Sequence, residues 1–428
     1  MSDLGWKYLT RSDKKLILKG IRDGVAYGGP YHVEIHPADR CNIECFFCST
    51  AALRGTDEFP LTRFEELLGE LKLAGTRSIR LSGGGEPLFH REGAKFIGAI
   101  AASGIPIENL TTNAVLLSQK ISDLLVGVCD QVTVSINTAD AETWSTMMKS
   151  PARNFDRVLA NIRGLVQAKR AAVSKTPQIT LQFLVWKGNF RTIPQMYALA
   201  SDLGVDSIMF NGLSFLSPEQ KMSESETAEM MGLYKNLVRL DKSKLIGGIN
   251  SFEQDLSVHL ATMYAELAPL DPPWGAAGRA VALLMRADFR TIWAKIQWKL
   301  AKRRPKLEEF CIIGWHSMLI RSSGSVAACC ILQGSDLANV FKHSISEVWA
   351  GPAYKQFRNE LADIIRKADD WKADPATHRT VGANCGKGTV DPCPIRSFYY
   401  SPDADFLQDF NQAIPALRQP LPPMSSPQ

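Results

Sequence analysis

The chain has 428 residues, 45% hydrophobic and 22% charged, which is the composition of a globular protein with a full core and excludes disordered, collagen-like and disulfide-miniprotein classes. Its 49 basic and 44 acidic residues leave a net charge of +5, too mild to indicate a nucleic-acid binder. No run of ~18 apolar residues predicts a membrane span, and the charged start MSDLGWKYLTRSDKK has no apolar signal region. Residues 1–30 are polar and close on the breakers Gly28-Gly29-Pro30, an N-terminal extension. From there strand patterns alternate with helical ones. HVEIHP (32–37), SIRLS (78–82), ENLTT (108–112), QVTVSI (131–136), QITLQFLVW (178–186) and DSIMFN (206–211) read as strands. Thr62–Ala74, Glu92–Ser103, Phe155–Lys169 and Thr192–Leu203 read as helices between them. This is α/β, with parallel β/α units. Residues 31–215 fall short of the ~250 of a complete eight-unit barrel and suit a partial (β/α)6 barrel, with chemistry at the C-terminal strand ends.

Residues 216–308 lack strand rhythm and read as a helical insert. Within it Phe289, Trp293, Ile296 and Leu300 recur at helical spacing among Arg286, Arg290, Lys295, Lys299, Lys302, Arg303 and Arg304. Such a helix packs its apolar face on the barrel, or touches a membrane surface weakly, or meets an anionic substrate. Residues 309–400 bring cysteines among short strand-like pieces, and the Pro/Ser-rich stretch 401–428 is a tail.

Nine cysteines in this length are too few for a disulfide framework, and their clustering in a chain without a secretory signal suggests metal binding in a reducing, cytoplasmic compartment. Cys41, Cys45 and Cys48 follow the first strand as C-x3-C-x2-C. Three thiolates can hold three irons of a [4Fe–4S] cluster and leave the fourth open, whereas zinc generally takes four ligands. Ser82-Gly83-Gly84-Gly85-Glu86-Pro87 follows strand two; its glycines permit close backbone approach to a ligand. Thr111-Thr112-Asn113 closes strand three and Ser135-Ile136-Asn137 strand four, with Asn189 and Asn211 as weaker positions beyond strands five and six. Cys129, just before strand four, reads as a buried structural thiol.

These motifs together resemble the radical S-adenosylmethionine (SAM) enzymes over residues 31–215. The resemblance implies a [4Fe–4S] cluster on Cys41, Cys45 and Cys48, whose open iron binds the amino and carboxylate groups of SAM. Reductive cleavage then gives methionine and a 5′-deoxyadenosyl radical. It further implies SAM contacts from Phe47, Gly84, Gly85, Glu86, Asn113, Ser135 and Asn137, with Phe47 against the adenine. Ala114 stands where the family has a glycine. An electron donor such as flavodoxin or ferredoxin is the expected partner.

The later cysteines resemble the C-terminal auxiliary-cluster extension of these enzymes, the SPASM/twitch type. A hairpin at Ser323-Gly324 is expected between Cys311 and Cys329, and Asn339 with Ile345–Trp349 matches the linker of that extension. The resemblance implies an auxiliary [4Fe–4S] cluster on Cys311, Cys329, Cys385 and Cys393, with Cys330 able to replace Cys329. One thiol of the Cys329-Cys330 pair is left over, and Cys330 is the candidate catalytic hydrogen-atom donor. The implied activity is abstraction of a hydrogen atom from a carbohydrate, aminocyclitol or similar polar substrate, as a dehydrogenase or an epimerase. A peptide maturase is the alternative, and a non-catalytic iron–sulfur scaffold a third reading.

Overall fold

The computed structural model describes residues 5–48, 50–51, 54–212, 220–241, 245–246, 311–329, 336–367 and 406. Six strands follow the sequence alternation: β1 (His32–Ile35), β2 (Ser78–Leu81), β3 (Ile107–Thr112), β4 (Gln131–Ser135), β5 (Gln178–Val185) and β6 (Ser207–Gly212). They pair in parallel and in chain order, β1 with β2 through to β5 with β6. The helices between them are α2 (Leu61–Ala74), α3 (Gly93–Ser103), α4 (Gln119–Leu125), α5 (Ala141–Met148), α6 (Arg153–Ala171) and α7 (Ile193–Leu203), with α8 (Glu224–Leu240) after β6. Sequential parallel strands with right-handed crossovers put every helix on the same side of the sheet, and the helices pack in turn, α2 on α3, α3 on α4, α4 on α6, α6 on α7 and α7 on α8.

Two features go beyond the sequence reading. The polar N-terminal segment contains a helix, α1 (Arg11–Asp23), started by a capping box in which Thr10 and Asp13 satisfy each other's backbone N–H. Its Lys and Arg density hides a narrow apolar stripe, of which Ile17 and Ile21 are each 1% exposed. The C-terminal cysteine region is also not set apart from the sheet. Its first strand, β7 (Ser317–Ile320), pairs in parallel with β1. A hairpin turned at Gly324, whose φ is +77°, then leads to β8 (Ser325–Ala327), and β9 (Ala338–Asn339) completes the order β6-β5-β4-β3-β2-β1-β7-β8-β9. Helices α9 (Ile345–Ala350) and α10 (Pro352–Lys367) follow, α9 packing on α2.

The two faces of the sheet differ in chemistry. Val33, Ile35, Ile79, Leu81, Val132, Val134, Ile179, Leu181, Phe183, Ile208 and Phe210 alternate onto one face and are at most 2% exposed, part of the hydrophobic core. The residues between them are mostly polar: His32 and Glu34, Ser78 and Arg80, Thr133 and Ser135, Thr180 and Gln182. A parallel sheet covered on both faces by apolar layers shows continuous hydrophobic runs instead. The polar side chains bond across strands, Asn109 Nδ2 to Thr133 Oγ1 at 2.9 Å, Thr180 Oγ1 with Ser207 Oγ at 2.8 Å, and Ser135 Oγ to Gln182 Oε1 at 3.1 Å. His32, Ser78, Thr133 and Thr180 are buried at the N-terminal end, while Glu34, Ser135, Gln182 and Asn211 are half-buried nearer the C-terminal end. The polar face is therefore closed below and open above. Among the described residues, no helix is long and apolar enough to cross a membrane.

Candidate functional site

The loop from Asp39 to Cys48 lies at the open end, held on three sides. It pairs with the C-terminal end of α5, where Glu44 N–H donates to Met148 O at 3.0 Å and Phe46 N–H to Met147 O at 3.1 Å. Cys45 Sγ lies 3.3 Å from Met148 Sδ. On the second side Arg54 reaches back, Nη1 donating to Ile43 O at 2.9 Å and Nη2 to Cys48 Sγ at 3.1 Å. On the third side Asn113 Nδ2 donates to Asn42 Oδ1 at 2.9 Å and lies 3.8 Å from Cys41 Sγ.

The glycine-rich loop after β2 crosses directly beneath this loop. A Cβ at Gly85 would stand 2.0 Å from Arg40 O and 2.6 Å from Asp39 C, both backbone atoms, so only glycine fits. Gly84 is different: the nearest atom to a Cβ there is Asp39 Oδ1 at 3.4 Å, an ordinary contact. Gly84 N–H donates to His36 Nδ1 at 3.1 Å, and Gly84 O accepts from Thr50 Oγ1 at 2.9 Å. His36 Nε2 in turn faces Glu34 Oε1 at 3.3 Å, and Ser82 Oγ donates to the same carboxylate oxygen. Burial opposes the Glu34 charge, but His36, Arg80 and Ser82 outweigh it and hold the carboxyl below its usual range. Ser82 opens the glycine motif read from the sequence, whereas Glu34, His36, Thr50 and Arg54 adjoin these loops although no sequence motif singled them out.

Glu86 is held by hydrogen bonds within the chain. It is 3% exposed, and its carboxylate accepts from Thr112 Oγ1 at 2.6 Å, Asn113 N–H at 2.7 Å and Leu88 N–H at 3.2 Å. Burial raises its pKa even against these bonds. Glu86 thus ties the glycine loop to the end of β3. Asn113 Oδ1 accepts from Val115 N–H at 3.0 Å, and the next residue, Ala114, has φ +60°. That left-handed backbone explains why the resembled family has glycine at this position.

Asn137, with φ +61°, closes β4; its Oδ1 accepts from Leu184 N–H at 3.1 Å, and its buried Nδ2 has no partner among the described residues. Asn189 is a staple between strand ends, its Nδ2 donating to Asn137 O at 3.0 Å and to Leu184 O at 2.8 Å. An aromatic wall joins the cysteine loop to the end of β5. Phe47 meets Phe46 edge-on at 5.3 Å, and Phe46 meets Trp186 at 5.1 Å. Trp186 was legible in the sequence only as the last residue of a strand; its Nε1 is buried with no partner among the described residues.

Among the described residues no three His, Cys, Asp or Glu side chains converge as a closed metal site. Each thiol of the loop has its own neighbour: Asn113 for Cys41, Met148 for Cys45, Thr50 and Arg54 for Cys48. The donor chemistry nevertheless fits an iron–sulfur group. Burial, then the charges of Cys41 and Cys48, push the Cys45 thiol up to about 12, and burial also raises Cys41. Cys41 and Cys45 thus resist carrying charge by themselves, and iron would supply the positive charge that stabilises them as thiolates.

Of the second cysteine group, Cys311 precedes the 3-10 turn Ile313–Trp315, and Cys329 follows β8; both are half-buried against the core. Arg358 on α10 fixes the turn, Nε donating to Gly314 O at 2.6 Å and Nη1 to Trp349 O at 2.7 Å. Cys330, Cys385 and Cys393 lie outside the described residues, as does the basic helix expected at 286–304. Cys129 is fully buried, its Sγ donating to Gln131 O at 3.0 Å.

Residues 35–179 match the family model of the radical SAM superfamily, and residues 311–374 that of the SPASM iron–sulfur cluster-binding domain. A GTP 3′,8-cyclase of Rhodopirellula baltica is 32% identical over 142 residues, 32% of this chain and 39% of that protein. The matches span 39% to 64% of the length of the first curated relatives. Among solved structures, Streptococcus suis SuiB bound to S-adenosylmethionine shares the fold with a TM-score of 0.55 and 17% identity, over 81% of this chain and 72% of SuiB. The protein anSMEcpe with bound AdoMet and the Kp18Cys peptide has a TM-score of 0.51 and 14% identity, over 90% and 97%.

Proposed function

We propose that this chain, a radical SAM enzyme with a C-terminal SPASM-type iron–sulfur domain, abstracts a hydrogen atom from a small polar substrate held on the open polar face of its sheet. Its cofactors are [4Fe–4S] clusters, including an auxiliary one, and SAM. When bound, cluster and SAM together supply the one-electron chemistry that yields a hydrogen-abstracting radical. Cys41, Cys45 and Cys48 hold the active cluster. Gly84 and Gly85 present bare backbone to the methionine end of SAM, which the Glu86 carboxylate fixes through Asn113 and Thr112. Ser135 and Asn137 offer polar groups at the end of β4, and the wall of Phe47, Phe46 and Trp186 excludes water from one side. Cys311 and Cys329, with Cys385 and Cys393, are the ligands proposed for the auxiliary cluster, and Cys330 the spare thiol that hands back a hydrogen atom. Residues 31–215 form the core in this reading, 216–308 the insert and 309–400 the auxiliary domain.

The observation that carries the substrate class is the polar face. Glu34, Ser135, Gln182 and Asn211 rise half-buried toward the end where the cysteine loop sits. Such a surface hydrogen-bonds a carbohydrate, aminocyclitol or nucleotide, and leaves unpaired groups against an apolar side chain. Two structural neighbours were solved with peptides, SuiB with the precursor peptide SuiA and anSMEcpe with Kp18Cys, which makes a peptide the competing substrate. The test is deuterium transfer into 5′-deoxyadenosine from perdeuterated sugars, aminocyclitols, nucleotides and short peptides under reducing, anaerobic conditions. Label from a small polar compound supports the reading. Label from peptides alone refutes the substrate class, and no SAM cleavage at all leaves the scaffold.

A further inference from the structure

Arg54 stands out among the groups around the cysteine loop. It is a half-buried cation whose guanidinium bridges both sides of the loop, through Ile43 O at 2.9 Å and Cys48 Sγ at 3.1 Å. Its Nε is buried with no partner among the described residues, so one donor is left over once the loop's own acceptors are met. Burial works against the Arg54 charge, but Cys48, Cys41 and Cys45 outweigh it and hold the guanidinium pKa above its ordinary value. The three thiols are not equivalent in this respect. Cys48 has the guanidinium and the Thr50 hydroxyl at 3.2 Å, whereas Cys45 faces the thioether of Met148.

We infer that Arg54 is a positioning residue that sets the reduction potential of the cluster on Cys41, Cys45 and Cys48 by donating a charged N–H···S bond to Cys48. This rests on the cluster assignment made above. Reduction adds one electron, delivered by an external reductant, to a group already anionic through its thiolates. A fixed cation at hydrogen-bond distance from one ligand sulfur stabilises the reduced form more than the oxidised one. A partly buried guanidinium, always protonated, does this without proton uptake and without reorganisation. Arg54 therefore eases the electron transfer that SAM cleavage requires.

The experiment uses the full chain, reconstituted anaerobically with iron and sulfide and titrated with dithionite under electron paramagnetic resonance. The signal read is the one that disappears when Cys41, Cys45 and Cys48 are changed to Ala. Arg54→Gln keeps a hydrogen-bond donor and removes the charge. It is expected to retain iron and to shift the midpoint to more negative potential by a tenfold or larger drop in the reduction equilibrium constant, about 59 mV for one electron. Arg54→Lys should restore most of the shift. An unmoved midpoint in Arg54→Gln with full iron overturns the inference. Loss of the cluster in both variants overturns it as well, because Arg54 would then only shape the loop. If the triple cysteine variant keeps the signal, the cluster assignment itself is wrong and the inference falls with it.

Discussion

Neighbouring glycines in the loop after β2 should fail in opposite ways when given a side chain. At Gly85 an added Cβ meets three backbone atoms, Arg40 O at 2.0 Å, Arg40 C at 2.5 Å and Asp39 C at 2.6 Å. Relief requires the glycine loop to move away from the segment that enters Cys41, an overpacking that costs roughly 1–3 kcal/mol. Gly85→Ala is therefore expected to melt earlier and to take up less iron. At Gly84 the nearest atoms are side-chain atoms, Asp39 Oδ1 at 3.4 Å and His36 Nδ1 at 3.9 Å, so Gly84→Ala should fold within ~0.5 kcal/mol of the parent. Gly84→Val adds an isopropyl group where bare backbone is proposed to meet SAM. Losing about 1.4 kcal/mol of that contact weakens SAM binding about tenfold. Thermal melts, iron content and SAM dissociation constants by equilibrium dialysis are measured on all three variants. A Gly84→Val protein that binds SAM as tightly as the parent, or a Gly85→Ala protein with parental melting and iron, would refute the reasoning.

Other expectations concern stability. Ala114→Gly removes a left-handed alanine that costs ~1–2 kcal/mol against ~0.4–1 kcal/mol of added chain entropy, so the urea midpoint should rise by about 0.5 kcal/mol equivalent; a fall would contradict the assigned backbone. Glu86→Gln turns an amide donor toward N–H groups and should cost ~1–3 kcal/mol while leaving the SAM affinity of the folded fraction unchanged, and a selective loss of SAM binding would make Glu86 a ligand instead of a brace. His32, on β1, lies buried beside His316, their rings 6.1 Å apart, and burial followed by Arg80 lowers its pKa to about 3. Its folded value is below the unfolded ~6.5, so the stabilisation is full above pH 6.5 and is lost as pH falls toward 3, by up to ~1.4 kcal/mol per unit. Denaturant midpoints of His32→Gln should therefore fall less steeply between pH 7 and pH 5 than those of the parent, and parallel slopes would sink the assignment.

Strands β1 to β6 and helices α2, α3, α6 and α7 were legible because alternation and 3.6-residue periodicity are local properties. Helix α1 was not, since its basic residues mask the stripe of Ile17 and Ile21, and its start depends on a Thr10–Asp13 cap that is read only once a helix is suspected. The alternation of β1 to β5 also carried an unread message: polar residues on every second position of a parallel sheet mean a polar interior. The cysteine and glycine motifs come together in the fold, but spacing does not say which atoms face a ligand. The Glu86 carboxylate is hydrogen-bonded to the end of β3, and an added Cβ would meet backbone at Gly85 but only side-chain atoms at Gly84. Arg54, Thr50 and Trp186 meet Cys48, Gly84 and Phe46 through tertiary contact alone. Pairing of β7 with β1, between residues 32–35 and 317–320, is likewise a long-range contact without a local signal.

The central claim is that Cys41, Cys45 and Cys48 hold the cluster that drives SAM cleavage, separate from an auxiliary cluster further along the chain. Iron content and 5′-deoxyadenosine formation, measured together on the anaerobically reconstituted parent and on the variant with all three changed to Ala, test it most directly. The account predicts about eight irons per chain in the parent and about four in the variant, with SAM cleavage abolished. A variant that still cleaves SAM reductively, or that loses no iron, would contradict it.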